Sequence, residues 1–178
     1  MGLDGVELVL AIEEAFGIAI PDAVAAEMIT PAMMISYVQE AVGSRPDHKA
    51  CISLRAFHRV RASLMKCTGA GRSDVTLKTP INKLFSGEKR TQHWQEFQAH
   101  SSLASLPNLG FGTGWLFSPR SVNDLVSIAI SAISAEIREE RSWTNEEVRQ
   151  LVRLTICDQL GIKKFKDTDE FVRDLGVD

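Results

Sequence analysis

The sequence predicts an all-α protein. Three observations predict it. Apolar residues recur every three or four positions along several long stretches. Helix start and stop signals flank those stretches. No segment alternates apolar and polar residues as a half-buried strand would.

In the first stretch, Val6, Val9, Leu10, Ile12 and Phe16 recur at helical spacing, and Asp4, Glu7, Glu13 and Glu14 take other positions. The pattern is an amphipathic helix with one acidic face. Acids near its start suit the helix dipole, and Gly17 is placed to end it. Pro21-Asp22 opens a short turn or helix. Thr30-Pro31 is an N-cap followed by proline at the first helical position, ahead of Met34, Ile35, Val38 and Val42, with Gly43 closing the helix.

Gly43 to Lys49, GSRPDHK, is polar, carries a proline and reads as a linker. Leu54, Phe57, Val60 and Leu64 mark the next helix, with Arg55 and Arg59 on its outer side, and TGAGR (Thr68 to Arg72) is a loop. Glu88 to His100 reads as helical with Trp94 and Phe97 on one side, and Leu109 to Phe117, LGFGTGWLF, as irregular. Ser121 caps a helix carrying Leu125, Ile128 and Ile133. Thr144 followed three residues later by Glu147 is a capping box. Behind it Val148, Leu151, Val152, Ile156 and Leu160 form an apolar stripe that Gly161 ends, and Phe165, Phe171 and Leu175 pin the loop that follows.

An apolar share of 44% and a charged share of 24% are those of an ordinary globular chain rather than a disordered one. No apolar run reaches the roughly 18 to 20 residues of a membrane span. No basic region precedes an apolar core at the N-terminus, so no signal peptide is expected. Cys51, Cys67 and Cys157 are odd in number and widely spaced, which argues against a disulfide framework and against zinc. A cytoplasmic location is the expectation.

Charge is segregated along the chain. Residues 1–43 hold seven acids and no lysine or arginine, residues 44–136 hold twelve bases and six acids, and residues 137–178 hold eight bases and ten acids. Acidic ends flanking a basic middle favour attraction between parts of the chain or between copies of it, hence a candidate homodimer. Three solvated surfaces of differing sign are the plainer alternative.

Candidate chemistry is sparse. His48, His58, His93 and His100 have no ligand spacing, so no metal is expected. No cysteine has a nearby histidine to support a thiol nucleophile. GFGTG lacks a preceding strand and a following GK[ST], so a plain loop is expected. Met28, Met33 and Met34 are open between an adaptable apolar cavity for an acyl chain and ordinary core, with core the simpler reading. Arg55, Arg59 and Lys66 lack the interleaved aromatics and basic balance of a nucleic-acid binder. No triad, metal set or carboxylate pair stands out, so no enzymatic activity is expected.

VELVLAIEEAFGIAIPD resembles the second helix and following loop of acyl carrier proteins, and ITPAMMISYVQEAV resembles their last helix. EEVRQLVRLTICDQLGIKKFKDTDEFVRDLGVD resembles their first helix and the long loop after it. The resemblance covers Gly2 to about Val42 and about Thr144 to Asp178, with the halves in permuted order. It implies an acyl carrier protein-like helical bundle, residues 1–43 being its back half and residues 137–178 its front half. The terminal segments would pair within one chain, as a circular permutation, or between chains, as a swapped dimer. Residues 44–136 are a basic helical middle segment, open between an unrelated insert and a degenerate second unit. For the second unit, Leu84 aligns with Leu175, Pro107 with Pro21 and Trp94 with Leu8, and PRSVNDLVSIAI resembles the family's last helix.

In that family an Asp-Ser-Leu serine carries 4'-phosphopantetheine, and the acidic second helix is what partner enzymes recognise. Asp178 falls on that aspartate, Gly2 on the serine and Leu3 on the leucine. Glycine offers no oxygen, so no prosthetic group is expected. The middle unit has Glu88 at that position and Ser86 two residues away. The resemblance thus implies a non-enzymatic, atypical acyl carrier-like module. Its acidic helix, through Asp4, Glu7, Glu13 and Glu14, would dock on basic surfaces of lipid or polyketide enzymes, or on another copy of the chain. The alternative is a functional carrier modified on a non-standard serine or in a longer natural chain.

Overall fold

The computed structural model describes residues 2–46, 51–101, 103 and 119–177. Among them the secondary structure is helical, with two isolated bridges, Arg45 to Thr144 and Pro80 to Ser121, and no strand. The helices are α1 (Leu3–Phe16), α2 (Asp22–Glu27), α3 (Pro31–Ala41), α4 (Ile52–Thr68), α5 (Ile81–Leu84), α6 (Arg90–Ser101), α7 (Val122–Glu140) and α8 (Asn145–Gln159). His48, Pro107, the GFGTG stretch and Asp178 lie outside the described residues. The chain divides into two compact units, one of Met1–Ile52 with Ser134–Asp178, the other of Ser53–Ile133.

In the first unit α8 packs against both α1 and α3. Its start follows from the capping box: Thr144 Oγ1 accepts from the Glu147 N–H, and the Glu147 carboxylate accepts from the Thr144 N–H. Val148, Leu151, Val152 and Ile156 then fall on one side and are buried. Each such side chain contributes roughly 1.5–3 kcal/mol on leaving water, so the stripe outweighs the cap, worth about 1 kcal/mol. On α1 the buried stripe is Leu8, Ile12 and Phe16, and on α3 it is Met34, Ile35 and Val38. Phe16 meets Trp143 with ring centroids 5.0 Å apart.

The ends of these helices are closed by neighbours. Gly17 ends α1 in the left-handed region at φ 66°, and its N–H reaches Glu13 O. α1 has no basic residue in its last turn, and Arg138 of α7 supplies the missing cation by donating from Nη1 to Glu14 O at 2.9 Å. A Cβ on Gly17 would stand 2.7 Å from Arg138 Cδ. Gly43 ends α3 at φ 62°. The polar stretch read as a linker is held in place over its first part: Arg45 N–H donates to Trp143 O, and Asn145 N–H donates to Arg45 O.

The segment after α8 is irregular but anchored. Phe165, Phe171 and Val177 are buried, whereas Leu175, expected as a pin, is half-buried. Asp167 accepts from Arg149 Nε at 2.8 Å and from Arg153 Nη1, and the Arg153 guanidinium lies 4.3 Å from the Phe165 ring centroid. The hydrogen bond and the charge of Asp167 hold the Arg149 guanidinium above its ordinary pKa. Backbone bonds tie the same segment to the turn before α3, from Phe171 N–H to Ile29 O and from Ala32 N–H to Asp167 O.

In the second unit α4 buries Ala56, Val60, Leu64 and Cys67. Leu54, expected on that stripe, is 51% exposed. Phe85, Trp94 and Phe97 form an aromatic cluster, Phe85 meeting Trp94 edge-on at 5.1 Å. The bridge at Pro80 and Ser121 fastens the start of α5 to the start of α7 through Ile81 N–H to Arg120 O and Val122 N–H to Thr79 O. Among the described residues no helix is long and apolar enough to cross a membrane.

Replacing Thr144 with alanine removes the capping hydroxyl and the hydrogen bond it donates to the buried Glu147, at 2.9 Å, while the backbone N–H bond to that carboxylate remains. Thr144→Ala is expected to lower stability by about 1–2 kcal/mol in urea unfolding followed by circular dichroism.

Candidate functional site

The four carboxylates predicted for docking divide into two groups. Asp4, Glu7 and Glu14 are exposed on α1. Glu13 is half-buried, and its Oε1 accepts from the Ile20 N–H at 2.6 Å. It thereby holds the turn after Gly17 rather than facing outward freely. A hydrogen bond to a charged acceptor of this kind is worth more than one between neutral groups.

The outer face of α1 also carries apolar side chains that the spacing had placed inside. Leu10 is 57% exposed and Val6 42% exposed. The helical turn explains both. Leu8 and Ile12 face the core, and Leu10 lies two residues from each, about 200° around the axis. The interval of four that runs through Leu8, Ile12 and Phe16 is the signal that identifies the inner face. Glu7, Leu10 and Glu14 share the opposite face, so the outer ridge is acidic with an apolar centre.

Behind α1 lies a cavity of about 230 Å³. Leu8 and Val9 of α1, Ala25 of α2, Met34 of α3, and Met28 and Phe171 from the connecting segments line it. Ile29 and Val172, 56% and 75% exposed, form part of its wall and reach solvent. It is smaller than the roughly 300 Å³ at which drug-sized pockets begin, which suits a short apolar group. Met28 and Met34 line this space, whereas Met33 is exposed.

Gly2 stands at the N-cap of α1 with extended backbone, φ −75° and ψ −173°, and its carbonyl accepts from Val6 N–H. It has no side chain to form an ester, so the position does not fit phosphopantetheine. Leu3 opens the helix. In the second unit Glu88 and Ser86 are both exposed ahead of α6, with Gly87 between them at φ 74°.

Other reactive groups do not converge. Among the described residues no three His, Cys, Asp or Glu side chains are arranged to hold a metal. Burial, with a smaller push from Glu96, raises the Cys67 thiol, and burial raises that of Cys157 against the pull of Arg153. Both are therefore poor sources of thiolate at neutral pH. His58 Nδ1 is 3.0 Å from Arg61 Nη2, a local contact within α4.

No family model, curated protein or solved structure matches this chain.

The two kinds of carboxylate separate experimentally. Glu13→Ala is expected to lower stability by about 1–2 kcal/mol by stranding the Ile20 N–H, and Glu13→Gln, which keeps an acceptor oxygen, should recover part of it. Glu7→Gln should change stability by less than about 0.5 kcal/mol. Thermal unfolding of the three variants checks this.

Proposed function

We propose that this chain is an atypical acyl carrier protein-like module that docks, through the outer face of α1, on basic surfaces of enzymes of lipid or polyketide metabolism. It does so without phosphopantetheine and without catalysing a reaction itself. The observation that carries the reading is the outer ridge of α1. Glu7 and Glu14 share a face with the exposed Leu10, Asp4 is exposed one turn earlier, and residues 1–43 contain no lysine or arginine. An apolar centre rimmed by charge of one sign has the anatomy of a protein interface. The charges speed encounter and select the partner, while the apolar centre holds it.

The arrangement around α1 supports the same reading. The family's helix order is reproduced if α8 stands for the first helix, residues 160–177 for its long loop, and α1, α2 and α3 for the rest. The contacts of α8 with α1 and α3 agree with that order. Gly2 accounts for the loss of cargo chemistry, since a phosphate ester needs a hydroxyl.

A second reading rests on Ser86. Its exposure ahead of α6 would let a transferase reach it, and the chain would then be a functional carrier. The residue after it is Gly87 instead of leucine, which weighs against this.

Incubation with coenzyme A and a broad-specificity phosphopantetheinyl transferase should leave the intact mass unchanged. A gain of one phosphopantetheine, lost in Ser86→Ala, would establish the carrier reading instead. Docking is tested by fluorescence anisotropy against an acyl-processing enzyme with a basic docking surface. Glu7→Lys/Glu14→Lys is expected to weaken binding at least roughly tenfold, because two attractive charges become repulsive. Unaltered binding would overturn the docking role of α1.

A further inference from the structure

The cavity behind α1 carries a charge that its apolar walls do not explain. Leu8, Ala25, Met34, Phe171 and Val177 are buried around it, and all of these residues belong to the first unit. Among the described residues that line it, Glu170 is the one with a charged side chain. That side chain is half-buried, and Ile29 and Val172 open the same wall to solvent. Glu170 therefore stands at the mouth, with apolar surface behind it.

Glu170 is held loosely there. It accepts from Arg173 Nη1 at 3.2 Å, in a pair whose side chains are 37% and 69% exposed. An ion pair so open to water contributes little, so another cation can take the place of the guanidinium. Arg173 Nε also donates to Asp174 Oδ1 at 3.2 Å, a partner it keeps on leaving Glu170. The neighbouring charges add to the negative field. Asp4 is exposed next to Gly5 of the cavity wall, and Glu27 is exposed between Ala26 and Met28 of that wall. Residues 1–43, which contribute α1, α2 and α3, hold no lysine or arginine. A field of this sign draws an ammonium to the mouth and repels a carboxylate.

We infer that the cavity binds, without a covalent bond, a small amphiphilic amine, its alkyl tail among Leu8, Met34 and Phe171 and its ammonium on the Glu170 carboxylate in place of Arg173. An apolar cavity of about 150 Å³ takes a six-carbon ring, so about 230 Å³ takes a tail of roughly six to nine carbons. Burial of the tail supplies the affinity, and the single carboxylate fixes which end faces out. Met28 and Met34, unbranched and adaptable, let the walls follow tails of differing shape. Gly5 and Val9, where α1 meets the cavity, lie at least about 100° around the helix axis from Glu7, Leu10 and Glu14. The amine site is therefore distinct from the outer ridge of α1.

Titration calorimetry and two-dimensional amide NMR with hexylamine, 1-hexanol and hexanoate at neutral pH test this. Hexylamine should bind saturably, one per chain, with a dissociation constant of roughly 1 mM or tighter. It should move the amide signals of Val9, Ala25, Met34 and Phe171. Hexanol should bind more weakly, and hexanoate at least roughly fivefold more weakly than hexylamine. Glu170→Gln should bring hexylamine to the level of hexanol, and so should 500 mM salt. Ala25→Leu, which fills the cavity, should abolish binding of all three, with circular dichroism confirming the fold. Should that variant not fold, Ala26→Phe at the exposed wall takes its place. Absence of saturable binding overturns the inference. So does hexanoate binding as tightly as hexylamine, hexylamine binding that Glu170→Gln leaves unchanged, or binding that survives a filled cavity.

Discussion

The apolar stripe of α8 is the constraint on which the first unit depends. Val148, Leu151, Val152 and Ile156 leave water only beneath helices more than a hundred residues earlier in the chain, since α8 packs on α1 and α3. Drawing such distant segments together costs loop-closure entropy, but that cost grows only logarithmically with length. Burial of several large side chains offsets it. Contacts of such separation slow folding more than they lower stability, because the entropy is lost before the contacts form. Within the unit, the chain ahead of α8 is also tied to the early helices. Arg45 bridging to Thr144 and Arg138 bonding to Glu14 O serve that end, each joining the early part of the chain to the late part.

Commitment of Leu8, Ile12 and Phe16 to the core dictates what α1 can show to solvent. Once these face inward, Glu7, Leu10 and Glu14 must face outward together, whatever their own preferences. Leu10 is therefore exposed as a consequence of register rather than of a weak core. An exposed leucine alone needs no explanation. Placed between Glu7 and Glu14 along the helix it becomes part of a surface with sign and shape. Glu13 shows the limit of counting charges along the chain. It belongs to the acidic run but is occupied in closing the turn at Ile20.

Much of the helical layout was legible in the sequence because the boundaries depend on local chemistry. Thr144 with Glu147, Thr30 with Pro31, Gly17 and Gly43 mark helix ends, and the structure places helix ends at each. Facing was less legible. Val6, Leu10 and Leu54 are apolar and occur at intervals of three or four from other apolar residues, yet they lie outside. A helix with more apolar residues than one face can hold leaves the choice to tertiary packing, which spacing alone does not encode. The anchoring of residues 165–177 was only partly legible. Buried Phe165 and Phe171 stood out by size, but Val177 is buried beside the cavity behind α1 and the Asp167 bridge to Arg149 and Arg153 depends on partners in α8. The cavity behind α1 is a property of assembled walls, and Met28 and Met34 are among the residues that form them.

On the proposed reading, Gly2 is where scaffold and cargo chemistry would separate. An N-cap residue needs extended backbone, and Gly2 has it. Serine there would add a side-chain acceptor for the first turn, yet glycine at an N-cap costs only a few tenths of a kcal/mol by comparison. The fold is nearly indifferent to the exchange. A phosphate ester is not, because the oxygen it requires is absent. Packing of α8 on α1 and α3 depends on residues far from that position, and so does the outer face of α1. On the reading proposed above, such a bundle would keep its stability and its outer face without that hydroxyl, and the fold by itself would not distinguish a loaded carrier from a module that only docks.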